Sequence, residues 1–251
     1  MKYKKAGEEK YNSGGRMRII AIDSSAMVAT VAVTTDGVLN AEYTINHKKT
    51  HSQTLLPMIA EMCKMIELDM ETVDAIAISG GPGSYTGLRI GSATAKGFGL
   101  ALNKPIINVP TIDALAYNMF SSSYTICPIM DARRGQVYTG IFRFNGTVME
   151  TIKPQCIMMI DELIAELDKI KEPVMFLGDG IDTQKDVIEE KMITEHHYAP
   201  ASMNRQKASS LAALAEIYYA EGKIETAREH KPEYLRLSQA ERELKEKMKH
   251  D

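Results

Sequence analysis

Runs of β-branched and other apolar residues open the chain and are separated by short polar turns, a pattern typical of antiparallel strands. The runs cover residues 18–24, 28–35 and 38–45, and Asp36-Gly37 between the last two is a hairpin signal. Apolar residues then recur at helical spacing over 52–68 and 84–102, and short apolar runs cover 74–79 and 106–109. The first part of the chain therefore predicts the order βββαβα followed by one more strand.

The same order recurs in the second part of the chain. A helix over 111–120, with Thr111 as its N-cap, leads to three strands with Asn145-Gly146 as the second hairpin signal. The strands are predicted over 125–130, 137–144 and 147–152, followed by a helix over 161–170, a strand over 174–177 and helices over 183–191 and 208–220.

This duplication predicts an α/β protein with the actin, hexokinase and Hsp70-like (ASKHA) fold, built from two βββαβα lobes. The first lobe is expected over 17–110, together with a returning helix at 207–221, and the second over 111–206. Residues 1–16 are expected to be a disordered extension, since they are polar and lack the apolar stretch of a signal peptide. Residues 222–251 are expected to form a charged C-terminal tail.

The helix predicted over 84–102 is rich in glycine, and Ser84 is its expected N-cap. Gly87, Gly91, Ala95 and Gly99 recur at a spacing of four and form a stripe with almost no side chains. A glycine inside a helix lowers its stability by about 1 kcal/mol relative to alanine. We therefore expect the stripe to allow close contact with another helix.

The turn Gly80-Gly81-Pro82-Gly83 before this helix admits two nucleotide-binding interpretations. A P-loop would need a lysine and a hydroxyl where Leu88-Arg89 stand, and a dinucleotide fingerprint would need a glycine at Thr86. Anion binding through the backbone N–H groups of the helix N-terminus stays open, because it needs no particular side chain.

The helix predicted over 52–68 has two apolar faces. Leu55, Ile59, Cys63 and Ile66 form one that suits a sheet, while Met58, Met62 and Met65 form a second beside it. Either the whole arc is buried in its own domain, or the flexible methionines meet a partner helix.

Composition excludes several classes of protein. The net charge is −3 with scattered basic residues, which argues against a subunit that binds nucleic acid alone. No apolar run approaches the length of a membrane span. The three cysteines, Cys63, Cys127 and Cys156, are widely spaced and suggest buried thiols in a cytoplasmic protein rather than disulfides.

Two histidine pairs are weak candidates for metal ligands. His47 and His51 have a spacing that suits a helix, but they are expected at a strand end and in a loop, and no glutamate follows His47. His196-His197 are expected in a loop. We therefore predict no metal site in this chain.

Two aspartates stand at matching positions, each at the end of the first strand of its lobe. In the actin-like fold phosphates bind between the two hairpins that follow, so Asp23, Ser24, Asp131, Arg133 and Gly135 are candidates for a degenerate nucleotide site. The first hairpin has Ala26 and Met27 where glycine would open its N–H groups to an anion. Tight ATP binding is therefore not expected.

Separated motifs along the chain resemble the TsaB (YeaZ) family, the partner subunit in threonylcarbamoyladenosine modification of tRNA. The central motif is Gly81-Pro82-Gly83-Ser84-Tyr85-Thr86-Gly87-Leu88-Arg89-Ile90-Gly91. The others are Ala21-Ile22-Asp23-Ser24-Ser25, His51-Ser52 with Leu55-Leu56-Pro57, Val109-Pro110-Thr111 with Ala114-Leu115-Ala116, Asp131-Ala132-Arg133-Arg134-Gly135-Gln136-Val137-Tyr138, and Pro232-Glu233-Tyr234-Leu235-Arg236.

The resemblance implies a non-catalytic subunit that pairs with the related TsaD, which transfers the threonylcarbamoyl group to N6 of adenosine 37 in tRNAs reading ANN codons. It also implies that the ATPase TsaE joins the complex, that ATP and the divalent metal are held by these partners, and that tRNA is met only within the complex. The expected contact residues are Leu55, Met58, Met62, Met65, Gly83, Thr86, Gly87, Arg89, Gly91 and Ala95.

Three other interpretations remain open on the sequence. The chain could be an actin-like ATPase or kinase acting alone, or a metal-dependent glycoprotease of the peptidase M22 type. It could also be a self-assembling structural protein, and the same apolar surface could form a homodimer in isolation.

Overall fold

The computed structural model of the chain describes residues 16–47 and 50–235. Two five-stranded mixed sheets, one in each lobe, form its framework. The first has the strand order β3-β2-β1-β4-β5 and the second β10-β9-β6-β7-β8. Each sheet contains an antiparallel hairpin unit joined to parallel strands, so the order in the second lobe repeats that in the first. This confirms the predicted duplicated ASKHA fold.

The predicted strands and helices are present with small changes of boundary. The strands are β1 Arg18–Asp23, β2 Val28–Thr35, β3 Val38–Asn46, β4 Ala75–Ser79, β5 Ile106–Val109, β6 Thr125–Asp131, β7 Gln136–Asn145, β8 Val148–Met159, β9 Val174–Leu177 and β10 His196–Tyr198. The α-helices are α1 His51–Met65, α2 Tyr85–Ala101, α3 Thr111–Ala116, α4 Ile160–Ile170, α5 Ile181–Lys191 and α6 Ala208–Ala220.

Three local predictions are corrected. β8 extends to Met159 because its pairing with β7 continues to Gln136, and Pro154 is tolerated in it since β8 is an edge strand. His196 and His197 lie in β10, a short strand paired with β9, and not in a loop. The N-cap of α3 is Pro110, while the Thr111 hydroxyl hydrogen-bonds Ser79 Oγ at 2.9 Å.

Other local predictions are confirmed or lie outside the described residues. The Ser84 hydroxyl caps α2 by accepting from the Gly87 N–H at 3.3 Å. His51 is the first residue of α1, but two residues of the His47–His51 segment are not among those described. Most of the predicted extension, residues 1–15, and residues 236–251 of the predicted tail also lie outside them.

Three apolar cores hold the lobes together. One lies between the lobes, where α3 and α6 are enclosed by both sheets, and it includes Ile19, Ile112, Leu211 and Phe142. A second lies between the first sheet and helices α1 and α2, and a third between the second sheet and helices α4 and α5. The outer faces of α1 with α2 and of α4 with α5 are therefore left on the surface. None of the helices in the described part of the chain combines the length and the apolarity that crossing a membrane would need.

Candidate functional site

The outer sides of α1 and α2 expose large aliphatic side chains. Leu56 is 55% exposed and Leu100 is 57% exposed, although both are large aliphatic side chains. Ala60, Ala93 and Gly97 are exposed between them along the two helices. Below, these five residues together with Thr86 and Arg89 are called the outer face.

The predicted contact residues divide into two groups. Leu55, Met58 and Met62 are at most 5% exposed and belong to the core beneath α1. They cannot meet a partner in this fold, so the prediction of Leu55, Met58 and Met62 as contact residues is corrected. Met65 and Arg89 are exposed, Thr86 is exposed and Gly83 is half-buried, so these four stay predictions.

The predicted glycine stripe also faces inward. A methyl group on Gly87 would overlap the carbonyl oxygen of Ser24, and one on Gly91 would crowd Ser24 Oγ. Ala95 is fully buried, and a methyl group on Gly99 would lie 2.9 Å from Ala227 Cβ. The stripe does permit a close approach, as expected, but the approaching backbone belongs to the same chain and not to a partner helix.

A second stripe of small residues on α2 was missed by the sequence analysis. Thr86, Arg89, Ala93, Gly97 and Leu100 follow at intervals of three and four, and all are exposed. Nothing lies within 4 Å of a methyl group built on Gly97. The signal was present in the sequence, because Ala93 and Gly97 repeat at the same spacing of four as the inward stripe. Periodicity alone did not say which stripe faces the sheet.

The first hairpin of the predicted nucleotide site is occupied by contacts within the chain. Asp23 Oδ1 accepts hydrogen bonds from the Ser25 backbone N–H at 2.8 Å and the Ser25 hydroxyl at 2.6 Å. Ser24 Oγ donates to the Gly87 carbonyl at 2.9 Å, and the Ser84 N–H donates to the Ser25 carbonyl at 2.6 Å. Burial raises the pKa of the Asp23 carboxyl, and the bonds from Ser25 offset part of that effect. The hairpin is thus fastened onto the start of α2.

The second hairpin is more open. Asp131 accepts a hydrogen bond from the Arg133 N–H at 2.8 Å and pairs with the Arg133 guanidinium at 3.4 Å. Arg133, Arg134 and Gly135 have φ angles of +67°, +58° and +72°. Asp179 is half-buried and accepts a hydrogen bond from the Asp131 N–H at 3.3 Å, and desolvation raises the pKa of its carboxyl. Both arginines are exposed at the tip of the turn.

The polar groups predicted for the nucleotide site hydrogen-bond to other groups of the chain. Among the described residues, no hydrogen bond or ion pair connects Asp23 or Ser24 with Asp131, Arg133 or Gly135. In the first hairpin, Asp23 Oδ1 accepts from the Ser25 N–H and hydroxyl, and Ser24 Oγ donates to the Gly87 carbonyl. Within residues 16–47 and 50–235, no group of three histidine, cysteine or acidic side chains could hold a metal ion.

Comparison with known proteins assigns the family. Residues 39–244 match the family model for TsaD, described as tRNA N6-adenosine threonylcarbamoyltransferase. The tRNA threonylcarbamoyladenosine biosynthesis protein TsaB of Bacillus subtilis is 34% identical over 227 residues, which cover 90% of this chain and 96% of that protein. The chain belongs to the TsaB family. The TsaB of Escherichia coli is 26% identical over 231 residues, 91% of this chain and 98% of its own length.

A solved TsaB-type structure has the same fold. The structure of YeaZ from Pseudomonas aeruginosa has a TM-score of 0.73 at 25% identity, covering 87% of this chain and all of that chain. A second Pseudomonas aeruginosa structure, described as similar to peptidase YeaZ, gives a TM-score of 0.74. The resemblance deduced from the motifs is therefore confirmed for both family and fold.

Proposed function

We propose that this TsaB-family chain is a non-catalytic subunit of the complex that forms threonylcarbamoyladenosine in tRNA, and that it docks on a TsaD-type catalytic subunit through the outer face of α1 and α2. Its family membership supports the pathway. The observation that supports the docking surface is the exposure of Leu56 on α1 and of Leu100 on α2, together with the exposed small residues Ala93 and Gly97 of α2.

A helical partner fits this surface for physical reasons. Small residues at a spacing of four allow two helix backbones to approach closely, and exposed leucines beside them supply apolar area that a lone chain leaves in water. Arg89 adds a charged group at one end of the stripe, and arginine is enriched in protein interfaces. A related TsaD-type protein would present its own helix pair to this face.

The experiment is reconstitution of threonylcarbamoyl transfer to tRNA with the TsaD-type subunit, with and without this chain. Ala93→Arg places a large charged side chain in the centre of the outer face. It should weaken binding to the TsaD-type subunit at least 100-fold, about 3 kcal/mol, and abolish the stimulation of transfer. Ala165→Arg is the matched control, because Ala165 is an exposed alanine on α4 of the other lobe. It should leave both properties unchanged.

Equal loss in both variants would point to general damage, and no loss in either would exclude the outer face as the docking surface. Sedimentation of the chain alone tests whether the same face forms a homodimer, and Ala93→Arg should then leave only monomer.

The further proposal that the ATPase TsaE joins the complex is tested by adding it to the assembled pair.

The proposal includes that ATP and the divalent metal are held by the partner subunits and that no nucleotide binds this chain tightly. The closed first hairpin around Asp23 supports this. Calorimetric titration of the isolated chain with ATP and magnesium should give no binding in the micromolar range. Binding with turnover would instead favour an actin-like ATPase or kinase.

A cytoplasmic location, deduced from the three cysteines, stays a prediction.

A further inference from the structure

The segment after α6 runs along the first lobe and ends at the outer side of α2. Its first part, residues 225–230, is held firmly. Glu225 pairs its backbone N–H and C=O with those of Ile106 at 2.9 Å, which covers the free edge of β5. His230 is buried and its Nδ1 lies 2.6 Å from Glu225 Oε1. We call these residues the anchor.

The second part, residues 231–235, crosses from one lobe to the other and is held by fewer contacts. The Glu233 N–H donates to the Gly80 carbonyl at 2.6 Å, and the Glu233 carbonyl fills the space that a side chain on Gly81 would need. Gly81 has a φ of +116°, which a residue with a side chain rarely adopts. We call these residues the latch.

The latch contacts both lobes through side chains. Gln155 of β8, in the second lobe, donates from Nε2 to Glu233 Oε2 at 2.8 Å. Leu235 packs against the core between the lobes. Tyr234 packs against Tyr85 in the first turn of α2, with ring centroids 4.9 Å apart and the rings tilted by 37°. Arg89 lies 5.5 Å from the centroid of the Tyr85 ring. The latch therefore joins β8 to the exposed end of α2.

Side-chain contacts of the latch are exposed, whereas His230 of the anchor is buried. The Gln155–Glu233 bond is exposed, and Tyr85 and Tyr234 are each 41% exposed. Glu233 also lies near enough to the buried Asp113 for their like charges to interact, while Lys223 partly offsets the charge of Asp113. A segment that is fixed at one end and held by exposed contacts at the other can open locally without unfolding the protein.

We propose that residues 231–235 act as a conformational latch that opens about the anchor and links the first turn of α2 to the second lobe. A molecule that contacts Tyr85 or Tyr234 shifts the equilibrium between the closed and the open latch. The shift in turn alters the contact of Glu233 with Gln155 of β8, because such coupling is reciprocal. This inference concerns the chain by itself and does not depend on the proposed docking partner.

The test is hydrogen exchange of individual backbone amides in the isolated full chain. Gln155→Glu places a carboxylate against Glu233. It should accelerate exchange of the residue 233 amide on the order of tenfold, which corresponds to the loss of one hydrogen bond to a charged group. The amides of Ile106 and Glu225 report on the anchor and should not change. The double variant Gln155→Glu/Glu233→Gln exchanges the two side chains, so that an amide donor at 233 can again bond a carboxylate at 155. It should restore the slow exchange of the residue 233 amide.

Two variants on α2 test the link to its first turn. Tyr85→Ala removes the aromatic ring against which Tyr234 packs. It should accelerate hydrogen exchange of the residue 233 amide to a similar extent as Gln155→Glu. Ala93→Arg changes the same helix at a position away from Tyr234 and should have no effect. The proposal is overturned if Gln155→Glu or Tyr85→Ala leaves the exchange rate of the residue 233 amide unchanged. It is also overturned if the double variant does not restore slow exchange, or if exchange of the anchor amides is accelerated equally.

Discussion

Helices α1 and α2 of the first lobe occupy the same places as α4 and α5 of the second, each pair covering the outer side of its sheet. On the outside the pairs differ. Among the exposed positions of α1 and α2 only Glu61, Lys64 and Arg89 are charged. The exposed positions of α4 and α5 are mostly charged, namely Asp161, Glu162, Lys169, Asp182, Lys185, Asp186, Glu189, Glu190 and Lys191.

The inner sides of the two pairs are alike. α1 buries Leu55, Met58, Ile59 and Met62 against its sheet, and α4 buries Ile160, Leu163, Ile164 and Leu167 against its own. Folding therefore requires an apolar inner side of the outer helices in both lobes. The second lobe shows that the fold is satisfied with a charged outer side, on which Lys191 pairs with Asp161 at 2.9 Å. The apolar outer face of the first lobe thus needs another cause, and contact with a partner supplies one.

The largest predicted effect separates the inner and outer sides of α2 with one substitution at two positions. Gly87→Leu should destabilise the chain by about 4–5 kcal/mol, because the side chain meets the Ser24 carbonyl, which cannot move aside. Gly97→Leu should change stability by about 1 kcal/mol or less in the favourable direction, since the position is open and leucine favours helix. Urea unfolding followed by circular dichroism measures both. Equal effects at the two positions would contradict the assignment of the two sides.

This prediction replaces the expectation from the sequence that the stripe through Gly87 contacts a partner helix, in which case a bulky residue there would block pairing and leave the monomer folded. The order of strands and helices was predictable because hairpin signals such as Asp36-Gly37 and helical periodicity are local. The direction of a stripe is not local. Gly87, Gly91, Ala95 and Gly99 have the same spacing as the exposed stripe through Ala93 and Gly97, and only packing distinguishes them.

The anchor and the latch could not be predicted for a similar reason. Glu225 pairs with Ile106, and Glu233 with Gln155, across long stretches of chain, and neither contact leaves a periodic pattern. β10 was missed because a strand of three residues around two histidines has no apolar alternation to detect. The site residues in the two hairpins were placed on the right turns, but their hydrogen bonds within the chain could not be read from residue types.

A second difference between the lobes lies in the helices that connect them. α3 buries the carboxyl group of Asp113, whereas the buried residues of α6 are all alanine, leucine or tyrosine. Burial raises the pKa of Asp113 to about 7, Lys223 opposes this shift, and Glu233 adds to it. The folded state therefore holds a proton on Asp113 between the ordinary pKa of 3.8 and about 7, where the unfolded chain has lost it.

The sign of the effect on stability follows from this difference in bound protons. The free energy of unfolding falls as the pH rises from about 4 to about 7, by up to about 4 kcal/mol. Above pH 7 the whole of this loss is present. Asp113→Asn removes the ionisable group with little change of shape. It should therefore be stabilising relative to the natural chain at pH 8, with a much smaller difference at pH 5. Urea unfolding at the two pH values measures it, and an equal difference at both would show that Asp113 does not titrate as described.

The smallest predicted effect tests whether exposed apolar area matters only where it lies on the outer face. Leu100→Gln keeps the helix and removes part of the apolar side chain, so affinity for the TsaD-type subunit should fall about tenfold, close to 1.4 kcal/mol, with unchanged unfolding. The control is Ile193→Gln in the second lobe, where the isoleucine is 90% exposed. If exposure alone governed association, Ile193→Gln would weaken binding more than Leu100→Gln. If the outer face governs it, only Leu100→Gln lowers the affinity measured by calorimetry.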